Sequence, residues 1–284
     1  MTAHRQFHYH ASAHALSGEL TRPVQRMIEV QAGISLPSTG GVGSSHVENF
    51  RVDEVVSFKR GYSQVSGSVK KEGSKTIHTT HATAAVEGLN ILDVVTADRI
   101  VARLSSSFEE PLPGAPIPTE GKVLLVGSKF ENLNIAGCQL DVELDHELFL
   151  GLGTYDSVRT AWESAGSRLK PMASKVHRAL SRDDRTLPGN LAPESGMFSS
   201  IVAEVHFKEP GFGKQRQGAF SHAGVTALGS HGFDVVDFGK IFLGEILCQH
   251  GRKTLTMLRV VLGSPNGGGF NVVEGTSNGW PPWG

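Results

Sequence analysis

The chain is 284 residues long, with 27 Lys and Arg against 28 Asp and Glu for a formal charge of −1, and charged residues make up 19% of it. That balance excludes a polybasic nucleic-acid binder and an acidic tail protein, the 39% hydrophobic content excludes wholesale disorder, and no run of eighteen apolar residues is present to span a bilayer. Two cysteines are too few for a disulfide scaffold, while 34 glycines point to many tight turns in a β-rich fold.

The first twenty residues contain no apolar stretch of signal-peptide length, so the chain as written starts in the cytoplasm and reaches a surface only by another route. Alternation begins at once. Phe7, Tyr9, Ala11, Ala13 and Ala15 alternate with His8, His10, Ser12 and His14, which predicts a strand with one apolar and one polar face. Ile28, Val30, Ala32, Ile34 and Leu36 continue the pattern, and residues 37–45 are a loop. Residues 54–69 and 76–87 read as two long strands around the turn at 70–75, their Thr, Ser and Val content favouring strand over helix. Residues 89–104 are two strands with a turn near Asp93, and the proline-rich 110–121 is a surface loop.

Strand character returns at 122–150, with a turn at Ala136-Gly137. Residues 154–182 change to helical spacing, with Thr154 or Asp156 as the cap and Pro171 opening a second helix. Residues 183–197 form a loop, strand resumes over Met197–Phe207, and a hairpin runs from Phe238–Gln249 into Thr254–Leu262. Both faces of Ile241–Leu247 and of Leu255–Leu262 are apolar, which suits central strands covered on both sides. The predicted core contains Ile28, Val30, Val86, Leu89, Leu133, Ile135, Leu140, Val142, Ile241, Leu243, Leu258 and Val260. Residues 264–269 form a loop, Phe270–Glu274 a last strand, and Asn278–Gly284 lies outside regular structure. Cys138 and Cys248 fall in apolar alternating runs and read as buried free thiols. The fold expected is mainly β, an antiparallel sandwich or barrel-like fold. Its parts are 1–150, a helical insertion with tether at 151–197, a completing part at 198–277 and a tail at 278–284.

Three patches resemble the β-rich choice-of-anchor P surface proteins. They are Val86–Asp98 with its Thr-Ala-Asp element, Val126–Gly137, and Phe238–Leu247 followed by Leu258–Leu262. The whole chain is similar to a family of bacterial proteins of unassigned function. The choice-of-anchor resemblance implies an all-β, non-enzymatic, secreted domain, and it carries no functional residues over. The chain departs from it in the helical insertion and in lacking a signal and an anchor.

Few constellations carry chemistry. His8 and His10 project side by side about 7 Å apart from one strand face, with His14 further along, so two imidazoles can share one ion if a neighbouring strand adds a carboxylate. Asp141, Glu143, Asp145 and Glu147 occupy one face if the strand holds its register, and calcium or a basic partner would relieve their repulsion. His78 and His81 fall on opposite faces. Ser221-His222 and Ser230-His231 sit outside any nucleophile motif, and the glycine runs follow no phosphate-loop pattern. The basic stretch 155–185 lacks interleaved aromatics and reads as a solvated helix face.

In the tail, Trp280 and Trp283 flank Pro281 and Pro282. Two tryptophans on a stiff proline stem predict an interaction element that docks on its own sheet or on a neighbouring subunit. The functional expectation is a non-enzymatic structural or interaction protein, self-assembling, without cofactor, nucleic acid or membrane span. The alternative is a small-molecule binder or metal-dependent enzyme with a site among His8, His10 and Asp98 or at the mouth of the sandwich.

Overall fold

A computed structural model describes residues 7–111, 120–148, 152, 154–164, 197–209, 212–215 and 224–280. The chain opens with β1 (His8–Arg22), β2 (Arg26–Gln31) and the two-residue β3 (Ile34–Ser35). A meander follows: β4 (Gly41–Val52), β5 (Val56–Glu72), β6 (Lys75–Ile91) and β7 (Val95–Glu109). Shorter strands come next, β8 (Lys122–Leu124), β9 (Lys129–Glu131), β10 (Leu133–Ile135) and β11 (Cys138–Leu144), then the helix α1 (Tyr155–Glu163). The last third holds β12 (Met197–Ser200), β13 (Val202–Glu209), β14 (Phe212–Gln215), β15 (Val225–Leu228), β16 (Gly232–Val235), β17 (Gly239–Gln249), β18 (Arg252–Leu262) and β19 (Gly267–Trp280).

These strands form two antiparallel sheets packed as a sandwich, without closure into a barrel. Sheet A runs β15-β16-β17-β18-β19-β1-β2, with β12 on β17 and β3 on β1. Sheet B runs β14-β13-β11-β10-β7-β6-β5-β4, with β8 and β9 on β7. The chain changes sheets at Ile201, so the expected strand over Met197–Phe207 is two: β12 pairs with β17 in one sheet and β13 with β11 in the other. β19 and β1 lie over β6, with β19 also over β7 and β1 over β5, and the core is between them. Phe7, Tyr9, Ala11, Ala13 and Ala15 are buried there, as the alternation requires.

Polar groups also cross the interior. The hydroxyls of Thr80 on β6, Ser106 on β7 and Ser277 on β19 bond to one another between the sheets. Three mutually satisfied hydroxyls avoid the cost of buried unpaired donors and acceptors and fix which strands face which.

Helix α1 is the one helix among the described residues and lies in the expected insertion; the second helix expected from Pro171 falls outside them. Thr154 is its cap, accepting from the Ser157 N–H in a reciprocal capping box. The turns after β4 and β6 are three residues long, with Asp53, Leu92 and Asp93 in the left-handed region.

Several expectations need correction. Residues 41–45, expected in a loop, open β4, and Gly267–Gly269, expected in another, open β19. Val30 is not in the core. β1 and β2 pair Leu16 with Gln31 but Gly18 with Ile28, so β2 carries one extra residue between these pairs. That bulge turns Ile28 inward, 5% exposed, and leaves Val30 57% exposed. Val142 is half-buried and packs at the rim of the core. Asn278–Trp280 is regular structure, the end of β19, with His8 opposite Trp280 and His10 opposite Asn278. A free partner edge on β1 outweighs the glycine-rich local sequence. Finally, the two-sided apolar run of β17 and β18 is a change of phase. Ile241 and Leu243 enter the core, then Ile246 and Cys248; on β18, Leu255 and Met257, then Leu258 and Val260. Gly244, with φ +58°, sits where the alternation slips, and Val273 on β19 has φ +59° two strands away. The outer face there mixes Glu245, Thr256, Arg259 and Glu274 with Phe242, which is wholly buried beside Leu228 and Val261 in a second apolar cluster, so this face too is partly covered.

Candidate interaction surface

β4 borders sheet B and pairs with β5 alone among the described residues. It is 12 residues long, against 4 for each of the edge strands β14 and β15 and 6 for β2. β2 borders sheet A on the same flank. Arg26, which starts β2, meets Asp53 just past β4 at 3.5 Å. At the other end Ile34 covers Gly43 on β4, where an added Cβ would lie 3.1 Å from Ile34 Cγ1. Among the described residues, one side of the sandwich therefore carries two strand edges without a further partner, β4 in sheet B and β2 with β3 in sheet A.

That flank also exposes apolar side chains among its charged ones. Val24 is 70% exposed, Met27 74%, Val30 57% and Val42 73%, four of the seven exposed large apolar side chains among the described residues. Sequence reasoning missed this surface because a uniform two-residue period hides a bulge. The available signal was Met27, Ile28 and Val30 together, which no single-faced strand can bury at once. On the solvent face beside it, Glu48, Arg60 and Glu87 form a cross-strand row over β4, β5 and β6 with contacts of 3.5 and 3.4 Å. The row is exposed and contributes little to stability.

Three other polar clusters are internally satisfied to differing degrees. At one end of the sandwich, Glu120 takes Lys253 Nζ at 2.6 Å and the backbone N–H groups of Gly251 at 2.9 Å and Tyr155 at 2.7 Å. Burial alone would raise the Glu120 pKa, but these donors together hold it below the usual carboxylate value. The cluster ties the start of α1 to the β17–β18 turn, and His250 lies tilted against Tyr155 with ring centres 3.9 Å apart. Nearby Cys248 is pushed up to about 12 by burial and is an inert thiol. At the N-terminal end of β1, the Tyr9 hydroxyl meets His78 Nδ1 at 2.9 Å and His78 Nε2 meets Glu110 at 2.7 Å, with Phe7 stacked on the imidazole. On the outer face of sheet A, Arg259 holds Glu245 through two bonds of 2.6 and 2.8 Å and lies 4.2 Å over Phe242. His231 is close by, 2% exposed, with no hydrogen-bond partner at Nε2.

His8, His10 and His14 do share the outer face of β1. Their neighbours do not complete a metal site: no group of three or more His, Cys, Asp or Glu among the described residues is placed to hold an ion. Burial and then the charge of Arg252 lower the His10 pKa. His14 Nε2 is 2.9 Å from Ser17 Oγ. The acidic row is broken, because β11 ends at Leu144 and Glu143 approaches His206 at 3.3 Å instead. Asp98 accepts from Asn132 at 2.7 Å. Ser230 and His231 share a turn with 3.4 Å between Oγ and Nδ1, rather than pointing apart along a strand. Ser221 and His222, Pro281, Pro282 and Trp283 lie outside the described residues.

No helix among the described residues is long and apolar enough to cross a membrane. Comparison with curated proteins gives no match, and comparison with solved structures gives none either. A family model does match, over residues 7–249, from the start of β1 to the end of β17. The chain belongs to that family, described as Domain of unknown function (DUF8256).

Proposed function

We propose that this chain is a non-catalytic structural or interaction protein that assembles with copies of itself. The observation that carries the reading is the flank of β2 and β4, with two open edges and the exposed Val24, Met27, Val30 and Val42. Open edges are templates for pairing, and monomers blunt them by shortness, lysines, prolines or cover. β4 is long and contains neither Lys nor Pro. Clustered exposed apolar side chains mark association surfaces, and a formal charge of −1 opposes association weakly. The resemblance to choice-of-anchor P surface proteins supports the same class, and the tail residues Trp280, Pro281, Pro282 and Trp283 are a second contact in this reading.

Light scattering across a hundredfold range of protein concentration tests it. The expected result is a dimer or larger species that falls to monomer in the double variant Met27→Asp/Val42→Asp, with the β circular-dichroism spectrum unchanged. A wild-type chain that stays monomeric throughout overturns the reading.

A further inference from the structure

We propose that a second copy of this chain pairs antiparallel with β4 along residues 42–48, centred on Ser45, so that sheet B runs on from one copy into the next. The inference rests on the self-association reading and specifies the partner, the strand and the register.

The usable edge is bounded by geometry. Asn49, with φ +54°, interrupts β4, and beyond it Phe50 takes the core side. The regular stretch is therefore residues 41–48. Within it Gly43, Ser45 and Val47 lie on the sandwich side, with Ile34 over Gly43 and Val47 packed against the core. Val42, Ser44, His46 and Glu48 are exposed on the other side.

Two conditions then select the register. Residues facing each other across an antiparallel pair lie on the same face of the sheet. In a two-fold pair of identical strands, facing residue numbers must therefore share parity, so the axis passes through a residue rather than between two. The hydrogen bonds give the same condition, because the outward N–H and C=O groups of β4 belong to alternate residues. Axes at Ser44, Ser45 and His46 satisfy it. An axis at His46 sets two imidazoles against each other, and one at Ser44 sets Val42 against His46. The axis at Ser45 sets Ser44 opposite His46, a hydroxyl beside an imidazole, and Val42 against the methylene stem of Glu48. No like charges face each other. Seven residues of each strand pair, and Val42 of each copy leaves water.

A second copy is favoured over an unrelated peptide because the stretch is complementary to itself in this register. An isologous contact also closes after two copies and leaves no growing edge on this flank.

Cysteine cross-linking tests the register in the full chain. Ser45→Cys is made in a Cys138→Ala background, which removes the half-buried free thiol and leaves Cys248 buried. Facing residues in an antiparallel pair have Cβ atoms about 4.5–5.5 Å apart, within reach of a disulfide, whereas a residue and the copy of its neighbour two along are at about 7–8 Å. With oxidised glutathione as oxidant, Ser45→Cys is expected to form covalent dimer at least fivefold faster than Ser44→Cys. Amides of 42–48 are also expected to gain hydrogen-exchange protection as protein concentration rises. If Ser44→Cys links as fast or faster, the register is wrong. If neither links and the amides stay unprotected while light scattering still finds an oligomer, β4 is not the contact, and the self-association reading stands. A monomer by light scattering removes both.

Discussion

Lys253 and Glu120 are both almost wholly out of water at one end of the sandwich, 2.6 Å apart. A buried pair of this kind contributes little against an apolar substitute, yet removing one member strands the other. Lys253→Met should therefore cost about 3–5 kcal/mol, and the double variant Lys253→Met/Glu120→Gln should recover most of the loss. Urea denaturation of the three proteins checks this; equal losses in the single and double variants would show that the charge is not what matters. Leu258 is a simpler case, fully buried on β18 opposite both Leu243 and Val272. Leu258→Ala should cost about 2–5 kcal/mol through the cavity it leaves, and a loss below ~0.5 kcal/mol would be incompatible with its placement. The two residues also show what a sequence reveals at this scale. Leu258 was legible as core from the apolar run around it. Lys253 was not, because its partner stands 133 residues away in a proline-rich loop.

Individual elements were legible where one period governs the whole strand and illegible where the period slips. β1 follows one period from Phe7 to Ala15, and its face assignment stands. β17 does not: the inward positions shift from 241 and 243 to 246 and 248 at Gly244. On β19 the matching point is Val273, a β-branched residue in the left-handed region. The slips align across neighbouring strands, since Leu243 pairs with Leu258 and Leu258 with Val272 on one side of the line, and Glu245 with Thr256 and Thr256 with Glu274 on the other. Alignment of this kind is a property of the sheet, and a single strand's sequence cannot display it. The bulge in β2 that carries Val30 outward belongs to the same category, and with it the apolar flank. Gly244 tests the point. A side chain there would adopt φ +58° and place its Cβ 3.0 Å from Ile201 Cγ1 and 3.1 Å from Val202 Cγ2. Gly244→Val should destabilise by roughly 1–3 kcal/mol through backbone strain alone, with further loss where Ile201 and Val202 must move. Thermal unfolding measures it, and an unchanged midpoint would mean that the strand relaxes around the line.

For the molecule as a whole, pH reports on how sheet A is assembled. His10, His14 and His231 sit in places that disfavour their charge. Burial lowers the pKa of His14 against the opposing pull of Glu274, and burial with the charge of Arg252 lowers that of His10. Burial also lowers His231, where Glu245 pulls up and Arg259 pushes further down. A histidine whose folded pKa is depressed binds fewer protons folded than unfolded between the two values. Stability from these groups is therefore complete above the unfolded value of about 6.5 and falls as pH drops below it. Each proton taken up only by the unfolded chain tilts the balance by about 1.4 kcal/mol per pH unit, with the half-exposed His10 contributing least because solvent screens it. Glu120 acts in the same direction but lower down. Its folded pKa is depressed from an unfolded value near ~4.3, so its share is intact at pH 5.5 and is lost only in stronger acid. The expected profile is flat from pH 8 to 7, declines from 6.5 to 5.5, and declines again below 4.5. Melting temperatures of the wild type and of His14→Gln/His231→Gln separate the two steps. The variant should lose most of the upper decline, His10 keeping a small share, and keep the lower one. A wild-type midpoint that is unchanged or higher at pH 5.5 than at 7.5 would mean that these imidazoles are reached by water in the folded chain, and that the outer face of sheet A is open.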